Sequence, residues 1–185
     1  GISLLLFLFL SCQLFSQHYS FRNFSQDEGL PQPYIYSLIQ DDKGFLWIGT
    51  GNGLSKYNGF TFENYSTADS LADNFITCSV SDGNKLWFGH MNVRLTWYDG
   101  NGFHPAGIIR TNMSPVTHFA KDPGQRIWVS TFSDGLLELG EGTEIVEHDF
   151  SGEIPQIVIF DFLSENELII KYRITDNGMI EKIKD

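Results

Sequence analysis

Three tryptophan-centred segments at a near-constant interval constrain this chain more than any other feature. Leu46-Trp47-Ile48-Gly49-Thr50 is followed by Leu86-Trp87-Phe88-Gly89-His90 and by Ile127-Trp128-Val129-Ser130-Thr131. The interval is 40 residues and then 41. Self-similarity at such a period decides architecture before any single residue does. A unit of that size cannot bury its own apolar faces and must stack on its neighbours.

The first unit can be read from its turns. Ile35–Gln40 is a short β-branched and aromatic run, Asp41-Asp42-Lys43-Gly44 a tight turn, and Phe45–Thr50 a second strand. Gly51-Asn52-Gly53 turns the chain back into Leu54–Tyr57. Asn58-Gly59 is the signature of a two-residue type I′ hairpin, and Phe60–Tyr65 completes the unit. The second unit repeats this with Phe75–Ser81, Lys85–His90 and Arg94–Tyr98, the third with Val116–Lys121, Arg126–Thr131 and Gly135–Leu139. A fainter fourth unit runs through Ile157–Phe162, Glu167–Tyr172 and Gly178–Ile183, with Ile169 in the tryptophan's place. Arg94 stands where the first and third units have Gly53 and Gly135. Either it takes a positive φ at a cost of roughly 1 kcal/mol, or the one-residue insertion before it relaxes the turn.

Four hairpin-linked strands in about 41 residues are a propeller blade. The expected fold is all-β: a β-propeller of four-stranded antiparallel blades, about three and a half of them, forming an open fragment of a larger propeller. A closed four-bladed ring is the alternative. Blade 1 is expected at 35–65, blade 2 at 75–105, blade 3 at 116–150 and a degenerate blade 4 at 157–185. Tyr19–Phe24 matches the outermost strand of a unit that has no other strands, and is expected to act as a clasp. Trp47, Trp87 and Trp128, with Leu54, Leu95 and Leu136, are expected to pack the spaces between blades.

Composition narrows the class. A net charge of −11 leaves no basic patch to displace counterions from a phosphate backbone, which argues against nucleic acid. Leu4–Leu10 is an unbroken apolar run followed by Ser11–Gln17, too short to span a bilayer but matching the core and cleavage region of a secretory signal peptide. Residues 1–16 are therefore expected to be a signal peptide truncated at its start. Removing them leaves Cys78 as the one cysteine, expected as a small buried residue. The five histidines show no ligand spacing, so neither a metal nor a cofactor is expected.

The segment Asp41–Gly59 matches, without a gap, the pattern Asp-x-x-Gly-x-Leu-Trp-Ile-Gly-Thr-x-x-Gly-Leu-x-x-Tyr-Asn-Gly, and resembles the two-component regulator propeller repeat. Phe24–Ile35, with Gly29-Leu30-Pro31, resembles the usual start of the first such repeat. The resemblance covers Tyr19 to about Gly142 well and the rest weakly. It implies the periplasmic sensor half of a hybrid two-component protein, as in Bacteroidetes. Its ligand would be an oligosaccharide, and its intramolecular partners would be further blades and downstream signalling domains. The membrane would be met only through a downstream helix that tethers the protein to the inner membrane. A homodimer is left open.

Candidate sites follow from the fold. Propeller ligands usually meet the loops at one end of the channel, so Pro33, Tyr34, Asn52, Asn74, Phe75, Asn92, His118 and Ser133 are the candidate ligand contacts. Tyr36, Thr77 and His118 are taken as equivalent inner-strand positions. Gly49–Gly53 lacks both the third glycine of a dinucleotide fingerprint and the glycine-lysine of a phosphate loop. Asp41, Asp42, Asp82, Glu165 and Glu167 sit at turns, where turn formation accounts for them. No catalytic set emerges, and a non-enzymatic sensor is expected. A propeller lyase or glycosidase and a protein-interaction propeller are the alternatives.

Overall fold

The computed structural model describes residues 21–92, 94–107, 114–122, 124–132, 136–140 and 145–148, and the strands at 159–164, 167–174 and 180–181. The expected signal segment and Ser133 lie outside the described residues. Three four-stranded antiparallel sheets follow one another. The first holds β1 (Ile35–Gln40), β2 (Leu46–Thr50), β3 (Gly53–Tyr57) and β4 (Phe62–Tyr65). The second holds β5 (Ile76–Asp82), β6 (Lys85–His90), β7 (Arg94–Tyr98) and β8 (Phe103–Gly107). The third holds β9 (Val116–Lys121), β10 (Ile127–Thr131), β11 (Leu136–Leu139) and β12 (Ile145–His148). A three-stranded sheet of β13 (Ile159–Ser164), β14 (Glu167–Ile174) and β15 (Ile180–Glu181) comes last. The first strands β1, β5, β9 and β13 lie next to one another in succession, so each sheet radiates outward from a shared inner edge. This is the open, partial propeller that the repeat predicts.

Each inner strand of the three full blades carries the same bulge. Ile35 pairs Thr50 and Ser37 pairs Gly49, leaving Tyr36 as the extra residue. Thr77 and Thr117 are extra in the same way. A bulge inserts one residue and bends the strand. It also corrects the expected equivalence. Ser37, Cys78 and His118 face Gly49, Gly89 and Ser130 respectively, so Thr117, not His118, is the counterpart of Tyr36 and Thr77. The fixed 41-residue offset fails here because the step from Ile76 to Val116 is 40 residues. With a side-chain period of two, a slip of one residue changes the face.

The tryptophans fill the space between sheets. Trp47 is fully buried, its ring 4.8 Å from Tyr98 and 6.0 Å from both Phe88 and Phe103 of the second blade. Trp87 packs with Val116, Phe119, Val129 and Leu137 of the third. Leu54, Leu95 and Leu136 are buried beside them. Two residues after each of the first two tryptophans stands a glycine hemmed in by its own inner strand, at Ser37 and Cys78 respectively, and by the next blade. A side chain on Gly49 would start 2.6 Å from Ile76 Cγ2 and 2.9 Å from Ile76 Cβ. One on Gly89 would meet Val116 Cγ1 and Cβ at 2.6 and 2.9 Å.

Acidic turn residues hold two of the indoles. Asp41 Oδ1 accepts from the N–H groups of Lys43 and Phe45, while Oδ2 accepts from Trp47 Nε1 at 2.9 Å. Asp122 repeats this: Oδ1 accepts from Arg126 N–H, and Oδ2 from Arg126 Nε and from Trp128 Nε1 at 3.3 Å. The second blade's first hairpin is one residue shorter, and its Asp82 instead receives Lys121 Nζ at 3.0 Å across the blade junction.

One local expectation is corrected. Tyr57 pairs Phe62, so four residues, not two, form the loop at Asn58-Gly59. A type I′ turn needs positive φ at both central residues. Here Gly59 alone has it, at 96°, while Asn58 Oδ1 accepts from the N–H groups of Phe60 and Thr61. The fourth strand accordingly starts at Phe62 rather than Phe60. Gly53 takes the positive φ expected of it, 122°. In the described part of the expected clasp, Phe21–Phe24, the Phe24 ring packs edge-on to Phe62 and tilted on Tyr57.

His90 takes the place held by Thr50 and Thr131 in the other blades, and is fully buried. Its Nε2 lies 2.7 Å from Thr96 Oγ1, which accepts the Ala72 N–H at 2.9 Å. Burial pushes the imidazole down to about 4, against the opposing pull of Asp73 and of the Phe75 and Asp73 backbone.

Two outcomes follow from this packing. Gly49→Val should destabilise the chain by about 1–3 kcal/mol through overpacking, and Ile76→Ala in the same chain should recover part of that loss. Chemical denaturation of the single and double variants checks this; strictly additive losses would contradict it. The imidazole is neutral in both states above pH 6.5. Between pH 6.5 and about 4 only the unfolded chain takes up the proton, so His90 should destabilise the fold progressively, by up to about 3 kcal/mol. His90→Thr should remove this part of the acid sensitivity, read as a smaller fall in melting temperature from pH 7 to pH 4.5.

Candidate functional site

The antiparallel order sorts the connections into two ends. The first-to-second turns and third-to-fourth loops lie at one end. The second-to-third hairpins and the segments between blades lie at the other. The expected ligand contacts belong to the second, the loop end.

At this end the first blade presents aromatic surface. Tyr34 is 68% exposed and Tyr36 50% exposed. The Tyr36 ring lies 4.7 Å from that of Phe75, which is half-buried in the segment leading to the second blade. Phe75 C=O accepts the Met91 N–H, which brings the 91–92 hairpin to the same place. Gly51 is hemmed in here: a side chain would meet Gln32 Oε1 at 2.6 Å and Phe75 Cε2 at 3.3 Å. Gln32 Oε1 and Asn92 Oδ1 are buried acceptors without a protein partner. Pro33 and Asn52 are exposed, with the Asn52 N–H held by Thr50 Oγ1 at 3.1 Å.

The expected residues divide accordingly. Pro33, Tyr34, Asn52, Phe75 and Asn92 belong to the loop end of the first two blades. Asn74 also lies there but braces the loop: its Oδ1 accepts Thr67 N–H at 2.8 Å and its C=O accepts Gly53 N–H at 2.7 Å. His118 is half-buried on β9 of the third blade, opposite Ser130. Gln32 and Tyr36 complete the patch. Tyr36 is marked in the sequence by its inner-strand repeat position, whereas nothing in the local sequence marks Gln32.

The opposite end holds two clefts that sequence reasoning missed. One of about 280 Å³ lies between the first and second blades, lined by Asp42, Lys43, Lys56, Asn84, Tyr98 and Gly100 among others. Lys56 Nζ stands 4.4 Å from the centre of the Phe45 ring and 5.2 Å from that of Trp47. The next, of about 410 Å³, lies between the second and third blades with Asp82, Lys85, Arg126 and Glu138 on its walls. The clefts recur because the blade junction recurs, so the repeat itself was the signal that could have located them.

Several titratable groups among the described residues are engaged by the fold. Asp41 and Asp122 are occupied by turns and indoles. Burial pushes the Cys78 thiol up to about 12, which leaves it protonated and un-nucleophilic. Asp99 is held low, at about 2, by the N–H groups of Asn101 and Gly102, as the anchor of its loop. Among the described residues no group of three or more His, Cys, Asp or Glu could hold a metal ion.

Comparison with known proteins places this geometry. The family described as "Two component regulator propeller" matches residues 29–52. Histidine kinase P4 of Formosa agariphila is 40% identical over 65 residues, 34% of this chain and 5% of that protein. The extracellular domain of a hybrid two component system from B. thetaiotaomicron superposes with a TM-score of 0.71 at 20% identity, over 88% of this chain and 26% of that one. Virginiamycin B lyase from Staphylococcus aureus superposes at 0.60 with 20% identity, over 82% of this chain and 55% of that one. The chain thus spans a small part of its relatives, and its fold is shared by sensors and a lyase. Residues 29–52 thus match the two component regulator propeller model, a 65-residue segment is similar to a histidine kinase of Formosa agariphila, and the fold is that of the extracellular domain of a B. thetaiotaomicron two component system.

Proposed function

We propose that this chain is the ligand-sensing part of a periplasmic propeller that responds to an oligosaccharide and takes no part in chemistry. The observation that carries it is the 40% identity to a histidine kinase, over a segment long enough to hold more than one blade. The loop-end patch suits the ligand class. Sugar C–H faces stack on aromatic rings, here Tyr34 and Tyr36, and hydroxyls hydrogen-bond to amides, here Gln32, Asn52 and Asn92. Pro33 and Phe75 extend the apolar wall, Asn74 fixes the loop, and His118 and Ser133 would serve a ligand that reaches the third blade. Signal output would belong to further blades and downstream domains of a longer protein. Among the described residues no helix is long and apolar enough to cross a membrane.

The likeness to a lyase supports a second reading, a propeller enzyme. Its weakness is the absence, among the described residues, of an uncommitted acid–base pair at either end.

A thermal-shift screen of the full-length protein against oligosaccharide fragments separates the two. Binding without turnover is expected. Tyr34→Ala with Tyr36→Ala should weaken it at least tenfold, about 1.4 kcal/mol or more. Conversion of a glycan, or of quinupristin, by the protein would replace the sensor with the enzyme.

A further inference from the structure

One departure from the repeat stands at the edge of the loop-end patch. Where the first and third units carry Gly53 and Gly135, the second carries Arg94. The position is tight in the first blade, where a side chain on Gly53 would start 2.6 Å from the Tyr65 carbonyl oxygen. Arg94 is exposed, so its guanidinium supports no core.

Its neighbours place it. Arg94 opens β7 and pairs Gly107. Side chains alternate along a strand, so Arg94 shares the face of Thr96. The Thr96 hydroxyl lies 2.7 Å from His90 Nε2 and accepts the Ala72 N–H from the segment between the first two blades. Beyond burial, the Arg94 charge also holds that imidazole down. Arg94 therefore lies on the side of its blade turned toward the first, beside the hairpin whose Met91 N–H is held by Phe75 C=O. The Phe75 ring in turn meets that of Tyr36 at 4.7 Å. Asn92, two residues before Arg94, has a buried Oδ1 without a protein partner.

Charge sets Arg94 apart. The segment between the first two blades brings two carboxylates, and both are engaged. Asp69 Oδ2 accepts the Ser66 N–H at 2.9 Å, and Asp73 Oδ1 the Phe75 N–H at 2.9 Å. Among the described residues no carboxylate lies within ion-pair distance of Arg94, whereas Lys121 and Arg126 are both paired. The whole chain carries a net charge of −11. That field repels a dense polyanion, but a single carboxylate brought against a guanidinium is held at contact range, inside the screening length of about 8 Å. The planar carboxylate matches the guanidinium fork with two parallel hydrogen bonds.

We infer that Arg94 is a specificity-determining residue of the loop end, pairing with the carboxylate of a uronic acid in the bound oligosaccharide. The sugar faces stack on Tyr34 and Tyr36, and the acidic unit reaches the guanidinium past the 91–92 hairpin. The inference rests on the oligosaccharide reading above and narrows it to acidic sugars of low charge density.

Calorimetric titration of the full-length protein tests it. The probes are aldouronic acids from glucuronoxylan and gum arabic, each with one uronic acid, and the same oligomers after carboxyl reduction to the neutral sugar. The acidic form should bind at least tenfold tighter than the neutral form, and Arg94→Gln should erase that difference. Arg94→Lys should keep only part of it, because a point charge lacks the fork. Added salt should weaken binding of the acidic form to the native protein but not to Arg94→Gln. The melting temperature of Arg94→Gln should stay within about 2 °C of the native value, since the site is exposed, which separates lost recognition from lost folding. Equal binding of the two forms, or a preference that survives Arg94→Gln, would overturn the inference and leave the oligosaccharide reading standing. Failure of every oligomer to bind, acidic or neutral, would remove both.

Discussion

At the first two blade junctions a β-branched side chain presses onto a glycine of the preceding sheet, and much of the surrounding packing is arranged around that approach. At Gly49 and Gly89 the absence of a Cβ lets Ile76 and Val116 press onto the neighbouring strand. Sheets that close at their inner edge must diverge outward, and the wedge that opens has to be filled at protein density. Trp47, with Tyr65, Tyr98 and Phe103 around it, fills the first wedge, and Trp87 with its aliphatic neighbours the second. Glycine and tryptophan recur two residues apart because residues i and i+2 of a strand share a face, here the one turned to the next blade.

The polar residues of the repeat serve the same packing. Buried indole N–H groups need acceptors. Asp41 and Asp122 provide them while also closing the turn that leads into the tryptophan strand. A carboxylate that satisfies a turn and an indole at once has little capacity left for acid–base work. The same economy extends to the third-to-fourth loops, where Asn58 and Asp99 accept from two backbone N–H groups each. Several of the acidic and amide groups that draw the eye in the sequence are therefore structural.

How much of this was legible in advance depended on whether the repeat carried it. The strand order, the blade number among the described residues and the packing role of the tryptophans all follow from the 41-residue period, because every copy votes on the same feature. Features that break the period were misjudged. His118 was placed on the face of Tyr36 because the spacing of first strands shortens by one residue between blades two and three, a change masked by the constant leucine spacing. The Asn58 loop was shortened because Asn-Gly favours a type I′ turn locally, while the strand pairing places four residues there. Gln32 was missed altogether: it becomes notable only when Gly51 and Phe75 are seen beside it. The inter-blade clefts were missed because they are made by pairs of blades and belong to neither alone.

The account places ligand recognition at the loop end of the first two blades and gives the clefts at the other end no role in it. Side-chain amide resonances provide the most direct measurement, since Gln32, Asn52 and Asn92 lie at the loop end and Asn84 lines the first cleft. Titration of isotopically labelled full-length protein with the oligosaccharide pool should move the Gln32, Asn52 and Asn92 amides and leave Asn84 and the Gly100 backbone in place. Movement confined to Asn84 and Gly100 would put the ligand between the blades at the opposite end and contradict the account.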